Sequence, residues 1–207
     1  MYLRGICFVT DRTYTPLSPY EMCSAALKAG VRFIQYRDKD RTRRQIYYEA
    51  LKLRGLTLSA KAVLIVNDHA DIALAVDADG VHLGQDDLPL KEARKIMTDK
   101  IVGISTHSLE QAREAEADGA DYIGFGPVFE TLTKDAGSPQ GIYGLRLITQ
   151  NVRIPVVAIG GINSGNIKEV IDAGADASAV ATAICKGDIE ENARRLISLV
   201  KREYPRP

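Results

Sequence analysis

The sequence predicts a single (β/α)₈ barrel occupying residues 1–207 as one domain. Eight short apolar runs alternate with eight amphipathic stretches, the runs are only four to seven residues long, and one helix-to-strand junction recurs in every second unit. Short Val- and Ile-rich runs are what strands buried on both faces look like, and strand–helix alternation builds a parallel sheet.

The apolar runs are Arg4–Thr10, Val31–Tyr36, Ala62–Val66, Gly80–Leu83, Ile101–Ile104, Asp121–Phe125, Ile154–Ile159 and Ala177–Ala181. Helix patterns follow them over Ser18–Ala29, Arg41–Ala60, Asp71–Val76, Leu88–Met97, Ser108–Asp118, Tyr143–Thr149, Asn166–Ala173 and Asp188–Arg202. In Ser108–Asp118, Leu109, Ala112, Ala115 and Ala117 make a small apolar stripe. Ser18 with Glu21 three residues on predicts a capping box. Helices run into strands two, four, six and eight through Ala29-Gly30-Val31, Ala78-Asp79-Gly80-Val81, Asp118-Gly119-Ala120-Asp121 and Ala173-Gly174-Ala175-Asp176. Glycine there suits the left-handed position that ends a helix. Eight units point to closure; the rival is an open doubly wound sheet, but nothing marks a switch in strand order.

Composition narrows the function classes. The 27 basic and 27 acidic residues cancel, so no global field favours nucleic acid or an anionic membrane, and any phosphate site must be local. No apolar run reaches the ~18 residues of a membrane span. No secretory signal is visible, and three scattered cysteines (Cys7, Cys23, Cys185) form neither a disulfide framework nor a zinc spacing. A cytoplasmic protein without nucleic-acid or membrane partners is expected; self-association as a homo-oligomer is compatible with it.

In a barrel, the chemistry sits in the loops after the strands. After strand two, Gln35, Arg37 and Lys39 share one side of Gln35-Tyr36-Arg37-Asp38-Lys39, two cations and an amide suited to an anion. Asn67-Asp68-His69 and Gly84-Gln85-Asp86-Asp87 end strands three and four, so Asp68 and Asp87 could converge on one Mg²⁺, although Asp is also a common turn and cap residue. Ser105-Thr106-His107 is either a hydroxyl cluster in the site or the cap region of the next helix. The long break after strand six carries Thr131-Leu132-Thr133-Lys134 and reads as a phosphate-gripping lid or a plain surface loop. Gly160-Gly161 after strand seven and Thr182-Ala183-Ile184 after strand eight occupy the usual phosphate position of barrels. His82 reads as a satisfied residue of a barrel layer, while His69 and His107 stand where they could contact an anion.

Together these segments resemble the thiamine phosphate synthase family over nearly the whole chain. The motifs are FVTDR (Phe8–Arg12), IQYRDK (Ile34–Lys39), VNDH (Val66–His69), DGVHLGQDDLP (Asp79–Pro89), GISTHS (Gly103–Ser108), DYIGFGPVFETLTK (Asp121–Lys134) and VVAIGGI (Val156–Ile162). The resemblance implies a transferase that joins 4-amino-5-hydroxymethyl-2-methylpyrimidine diphosphate to a thiazole phosphate. The C–O bond breaks first and the thiazole nitrogen captures the pyrimidine cation. By position, Gln35, Tyr36, Arg37, Asp38, Lys39, Asn67, Ser105 and Lys134 would hold the pyrimidine diphosphate, with Arg37, Lys39, Ser105 and Lys134 the catalytic set. Asp68 and Asp87 would ligate Mg²⁺. Thr131, Leu132, Thr133, Gly161 and the Ala181-Thr182 backbone would hold the thiazole phosphate. His69, Glu130 and Ser178 depart from the family's usual residues. Two alternatives share the barrel: a thiazole tautomerase, whose catalytic His falls where this chain has Gly126-Pro127-Val128-Phe129, and a thiamine-precursor-binding barrel without turnover.

Overall fold

The computed structural model describes residues 3–131 and 137–200. Eight parallel strands close into a barrel in sequence order, β8 pairing with β1, which removes the open-sheet alternative. The strands are β1 (Gly5–Val9), β2 (Phe33–Tyr36), β3 (Val63–Asn67), β4 (Gly80–Leu83), β5 (Ile101–Thr106), β6 (Tyr122–Phe125), β7 (Val156–Ile159) and β8 (Ala177–Val180). The helices are α1 (Pro19–Ala29), α2 (Arg43–Ser59), α3 (Ala70–Ala75), α4 (Leu90–Met97), α5 (Leu109–Ala117), α6 (Gly141–Asn151), α7 (Ile167–Asp172), α8 (Thr182–Cys185) and α9 (Ile189–Val200). The sequence pattern misses α8, because four residues are too few to show a helical period.

Strand alternation divides the apolar residues between two cores. Cys7, Val9, Phe33, Val63, Ile65, Tyr122, Val157, Ala177 and Ala179 fill the barrel interior. Their neighbours, such as Phe8, Ile34, Leu64 and Val66, pack outward against the helices. Ser178, buried at 2% exposure, lies between the inward Ala177 and Ala179, so it faces the helix layer rather than a site.

The recurring junctions have a defined job at the N-terminal end of the barrel. Asp79, Asp121 and Asp176 each accept the first free amide of the preceding strand: Leu64 at 2.8 Å, Val102 at 2.7 Å and Val156 at 3.0 Å. Gly30, Gly119 and Gly174 take the expected left-handed conformation with φ of 107°, 89° and 92°. Gly80 does not. In that unit Asp77 holds the positive φ, and Gly80 lies in β4, where a Cβ would stand 2.2 Å from the Ile101 carbonyl oxygen. At α1 the capping box forms as expected, Ser18 Oγ accepting from Glu21 N and Glu21 Oε2 from Ser18 N.

Candidate active site

A cavity of about 560 Å³ opens at the C-terminal ends of the strands. Val9, Asp11, Arg37, Lys39, Ser105, His107, Glu130, Thr131, Gly160, Gly161, Ala181, Thr182 and Lys186 are among its lining residues. Loops from strands far apart in sequence therefore meet at one place, as barrel geometry requires.

On the β2 side, buried Thr10 fixes the strand's extension. Thr10 Oγ1 accepts from Arg37 N at 2.9 Å and donates to Arg37 O at 3.0 Å, setting the backbone from which Arg37 and Lys39 enter the cavity. Gln35, 5% exposed, donates through Nε2 to Asn67 Oδ1 at 2.7 Å, giving a fixed amide pair between β2 and β3. Tyr36 and Asp38 face elsewhere. Period two turns Tyr36 outward, where it is 1% exposed among the helix-facing core residues. The Asp38 side chain is 2% exposed and ion-paired to Arg41 at 3.2 Å and Arg12 at 3.8 Å, so it shapes the loop instead of lining the cavity.

Asp68 and Asp87 converge, close enough to hydrogen-bond each other. Burial, then the Asp87 charge, pushes the Asp68 carboxyl up to about 6, while Lys39 and Arg37 pull it down. Asp68 sits in the left-handed region with φ 64°, its N–H held by the His82 carbonyl at 2.8 Å, and Asp87 Oδ2 accepts from Gly84 N at 2.6 Å. Two carboxylates forced together beside cations suit a hard divalent ion that shares its remaining positions with phosphate oxygens and water. Among the described residues there is no group of three or more His, Cys, Asp or Glu that could cage a metal without such help. His69 is drawn aside: its Nδ1 lies 3.2 Å from Arg43 Nη1, and Arg43 pairs with Asp71.

β5 extends two residues beyond its apolar run, placing Ser105 on the barrel wall and Thr106 outward in the buried layer. Ser105 Oγ is 2.9 Å from His82 Nε2, and the Ser105 carbonyl accepts from Gln85 Nε2 at 2.5 Å. His107 lines the cavity with Nδ1 at 2.6 Å from the Gly126 carbonyl.

The loop after β6 is laced to the end of β7: Val128 N donates to Ile159 O at 2.8 Å and Phe129 N to Gly160 O at 3.1 Å. That close approach explains the glycine pair. A Cβ on Gly160 would lie 2.5 Å from Pro127 Cα, and one on Gly161 would lie 2.4 Å from the Glu130 carbonyl oxygen. Thr131 reaches the cavity, whereas Leu132, Thr133 and Lys134 lie outside the described residues. Ala181 and Thr182 open α8, where first-turn amides have no partner within the helix. Lys186, which the sequence reading passed over, enters the cavity just beyond α8, its carbonyl pinned by Asn192 Nδ2 at 2.9 Å. A lone lysine in a loop after the last strand was the available signal.

A closed barrel with cations, paired carboxylates and glycine-backed loops on its C-terminal rim defines a phosphate-handling (β/α)₈-barrel enzyme. The profile of the thiamine monophosphate synthase family matches residues 6–184, and the chain belongs to that family. It is 52% identical over 178 residues to a thiamine-phosphate synthase of Chloroflexus aurantiacus, covering 85% of this chain and 82% of that one. It is 55% identical over 162 residues to another from Halalkalibacterium halodurans, with 77% and 74% covered. Among solved structures, a thiamine phosphate pyrophosphorylase from Pyrococcus furiosus superposes with a TM-score of 0.91 at 42% identity, covering 96% of each chain.

Proposed function

We propose that this chain is a thiamine-phosphate synthase, joining 4-amino-5-hydroxymethyl-2-methylpyrimidine diphosphate to a thiazole phosphate and releasing pyrophosphate. One observation carries the reading beyond the family resemblance: Arg37 and Lys39 line the cavity, and their charges are felt at Asp68, which is paired with Asp87. A site for a diphosphate leaving group requires that juxtaposition, and an ordinary solvated loop does not.

Arg37 grips phosphate oxygens with its planar fork and Lys39 adds a point charge, so both stabilise the negative charge that develops as the C–O bond breaks. The bonding electron pair leaves with the diphosphate, and the thiazole nitrogen lone pair fills the vacancy on the pyrimidine carbon. Mg²⁺ held by Asp68 and Asp87 would neutralise the departing diphosphate. The Gln35–Asn67 amide pair orients the pyrimidine, and Ser105 contacts the same substrate from β5. Gly161, Thr131 and the Ala181-Thr182 backbone hold the thiazole phosphate, a role we extend to Leu132 and Thr133, with Lys134 assigned to the pyrimidine diphosphate. Excluding water matters here, because water would compete for the cation.

The substrates are small phosphorylated molecules, and we place the enzyme in the cytoplasm: Cys7, Cys23 and Cys185 are all buried free thiols. No described helix is long and apolar enough to cross a membrane. The test is to supply both substrates with Mg²⁺ and identify the product by mass spectrometry. Thiamine phosphate is the expected product. Proton exchange on the thiazole phosphate without coupling would identify a tautomerase instead, and binding with neither reaction would leave a non-catalytic barrel.

A further inference from the structure

The barrel interior beneath Ser105 contains a polar chain that the chemistry above does not use. Tyr122 on β6, 1% exposed, has its Oη 2.9 Å from His82 Nδ1, and His82 Nε2 is 2.9 Å from Ser105 Oγ. The His82 and Tyr122 rings stack with centroids 5.4 Å apart, and Phe33 meets Tyr122 edge-on at 6.0 Å. Neighbouring strands are cleared for this pair. A Cβ on Gly103 would fall 2.1 Å from Tyr122 Cζ, and one on Gly124 would fall 2.9 Å from His82 Cε1.

The direction of the chain follows from hydrogen-bond accounting. A phenol buried this deeply must donate its proton, since an unsatisfied buried donor costs about 1–3 kcal/mol. Among the described residues, the hydrogen-bond partner of Tyr122 Oη is His82 Nδ1. The Cys7 thiol is also in the interior, but it donates to Gln35 Oε1 at 4.0 Å, and sulfur is a weak acceptor. His82 Nδ1 therefore accepts, and the ring carries its single proton on Nε2. A ring whose Nδ1 accepts is neutral, so its other nitrogen is a donor. Nε2–H then donates to Ser105 Oγ. With that lone pair engaged, the serine hydroxyl proton is free to turn into the cavity.

We infer that Tyr122 and His82 are positioning residues that fix Ser105 as a hydrogen-bond donor toward the pyrimidine diphosphate. This rests on the proposed function for the identity of the acceptor, though not for the direction of the chain. A donor suits an oxygen that gains negative charge during the reaction. Neither residue need touch the substrate.

The test combines a spectrum with a kinetic cycle. In protein carrying ¹⁵N-labelled histidine, His82 should show a protonated Nε2 and a bare Nδ1, a readout that needs no turnover. Tyr122→Phe keeps the ring and removes the donor. It should mix the tautomers and lower kcat/KM for the pyrimidine diphosphate by about tenfold, the weight of one hydrogen bond, leaving KM for the thiazole phosphate unchanged. In a Ser105→Ala background, Tyr122→Phe should cost nothing further. A protonated Nδ1 in the unmodified protein would overturn the proposal, as would full additivity of the two substitutions. If the unmodified protein formed no thiamine phosphate, the functional reading would fail, and the spectrum would still decide the direction of the chain.

Discussion

Individual residues divide the cavity into two ends that can be tested separately. Lys186 enters just beyond α8, away from the Arg37 and Lys39 loop in sequence but in the same cavity. Lys186→Gln should raise KM for the thiazole phosphate about threefold to tenfold, as expected for one charge-assisted contact, with KM for the pyrimidine diphosphate unchanged. Steady-state titration of each substrate checks this, and an equal effect on both would remove Lys186 from the thiazole end. Arg37→Lys keeps the charge but loses the fork, and kcat should fall at least tenfold. His82 makes a stability prediction. Its folded pKa is lowered to about 4 from the ordinary 6.5, so the unfolded chain binds the proton first as pH falls. The stabilisation is complete above pH 6.5 and is lost progressively toward pH 4, on the order of 3 kcal/mol in all. Denaturant melts between pH 7 and 4.5 should therefore show a shallower acid loss in His82→Gln; parallel curves would contradict this.

At the scale of elements, the two ends of the barrel carry different groups: strand ties at the N-terminal end and the cavity at the C-terminal end. The carboxylates of Asp79, Asp121 and Asp176 tie adjacent strands at the N-terminal end, and Asp79 and Asp121 also pair with Arg54 at 3.0 Å and Arg94 at 2.6 Å. Removing the Asp121 side chain leaves the Val102 amide and the Arg94 guanidinium short of a partner. Asp121→Ala should lower stability by about 1–3 kcal/mol with kcat and both KM values intact, read from thermal melts beside the standard assay. This distinction was only half legible in sequence. The Gly-Ala-Asp recurrence was visible as a repeat, but its glycine was the conspicuous part, and the Asp that pairs strand to strand drew no notice. Gly80 misled for the same reason: it resembles a helix stop, whereas the contact with Ile101 that requires it is long-range.

Taken whole, the barrel was readable because every level of the sequence agrees on it: strand length, apolar pattern and alternation with helices. The candidate site was legible where a polar side chain stands at or just past a strand's C-terminal end: Arg37, Lys39 and Ser105 line the cavity, and Asp68 meets Asp87. It was less so where period two decides the outcome. Gln35, Arg37 and Lys39 share a side by that rule, and the same rule sends Tyr36 into the helix layer. The Tyr122–His82–Ser105 chain spans three strands, so no local motif could disclose it, and only the packing around Gly103 and Gly124 reveals its purpose.

The function proposed for this chain requires metal-assisted coupling at this rim. The most direct measurement follows thiamine phosphate and pyrophosphate together from both substrates, over an Mg²⁺ titration, in the unmodified protein and in Asp68→Asn with Asp87→Asn. Equal amounts of the two products, abolished by EDTA, are predicted, with the Mg²⁺ midpoint of the double variant raised tenfold or more, about 1.4 kcal/mol of metal affinity. An identical Mg²⁺ midpoint in both proteins would contradict the carboxylate pair, and pyrophosphate without thiamine phosphate would contradict the coupling itself.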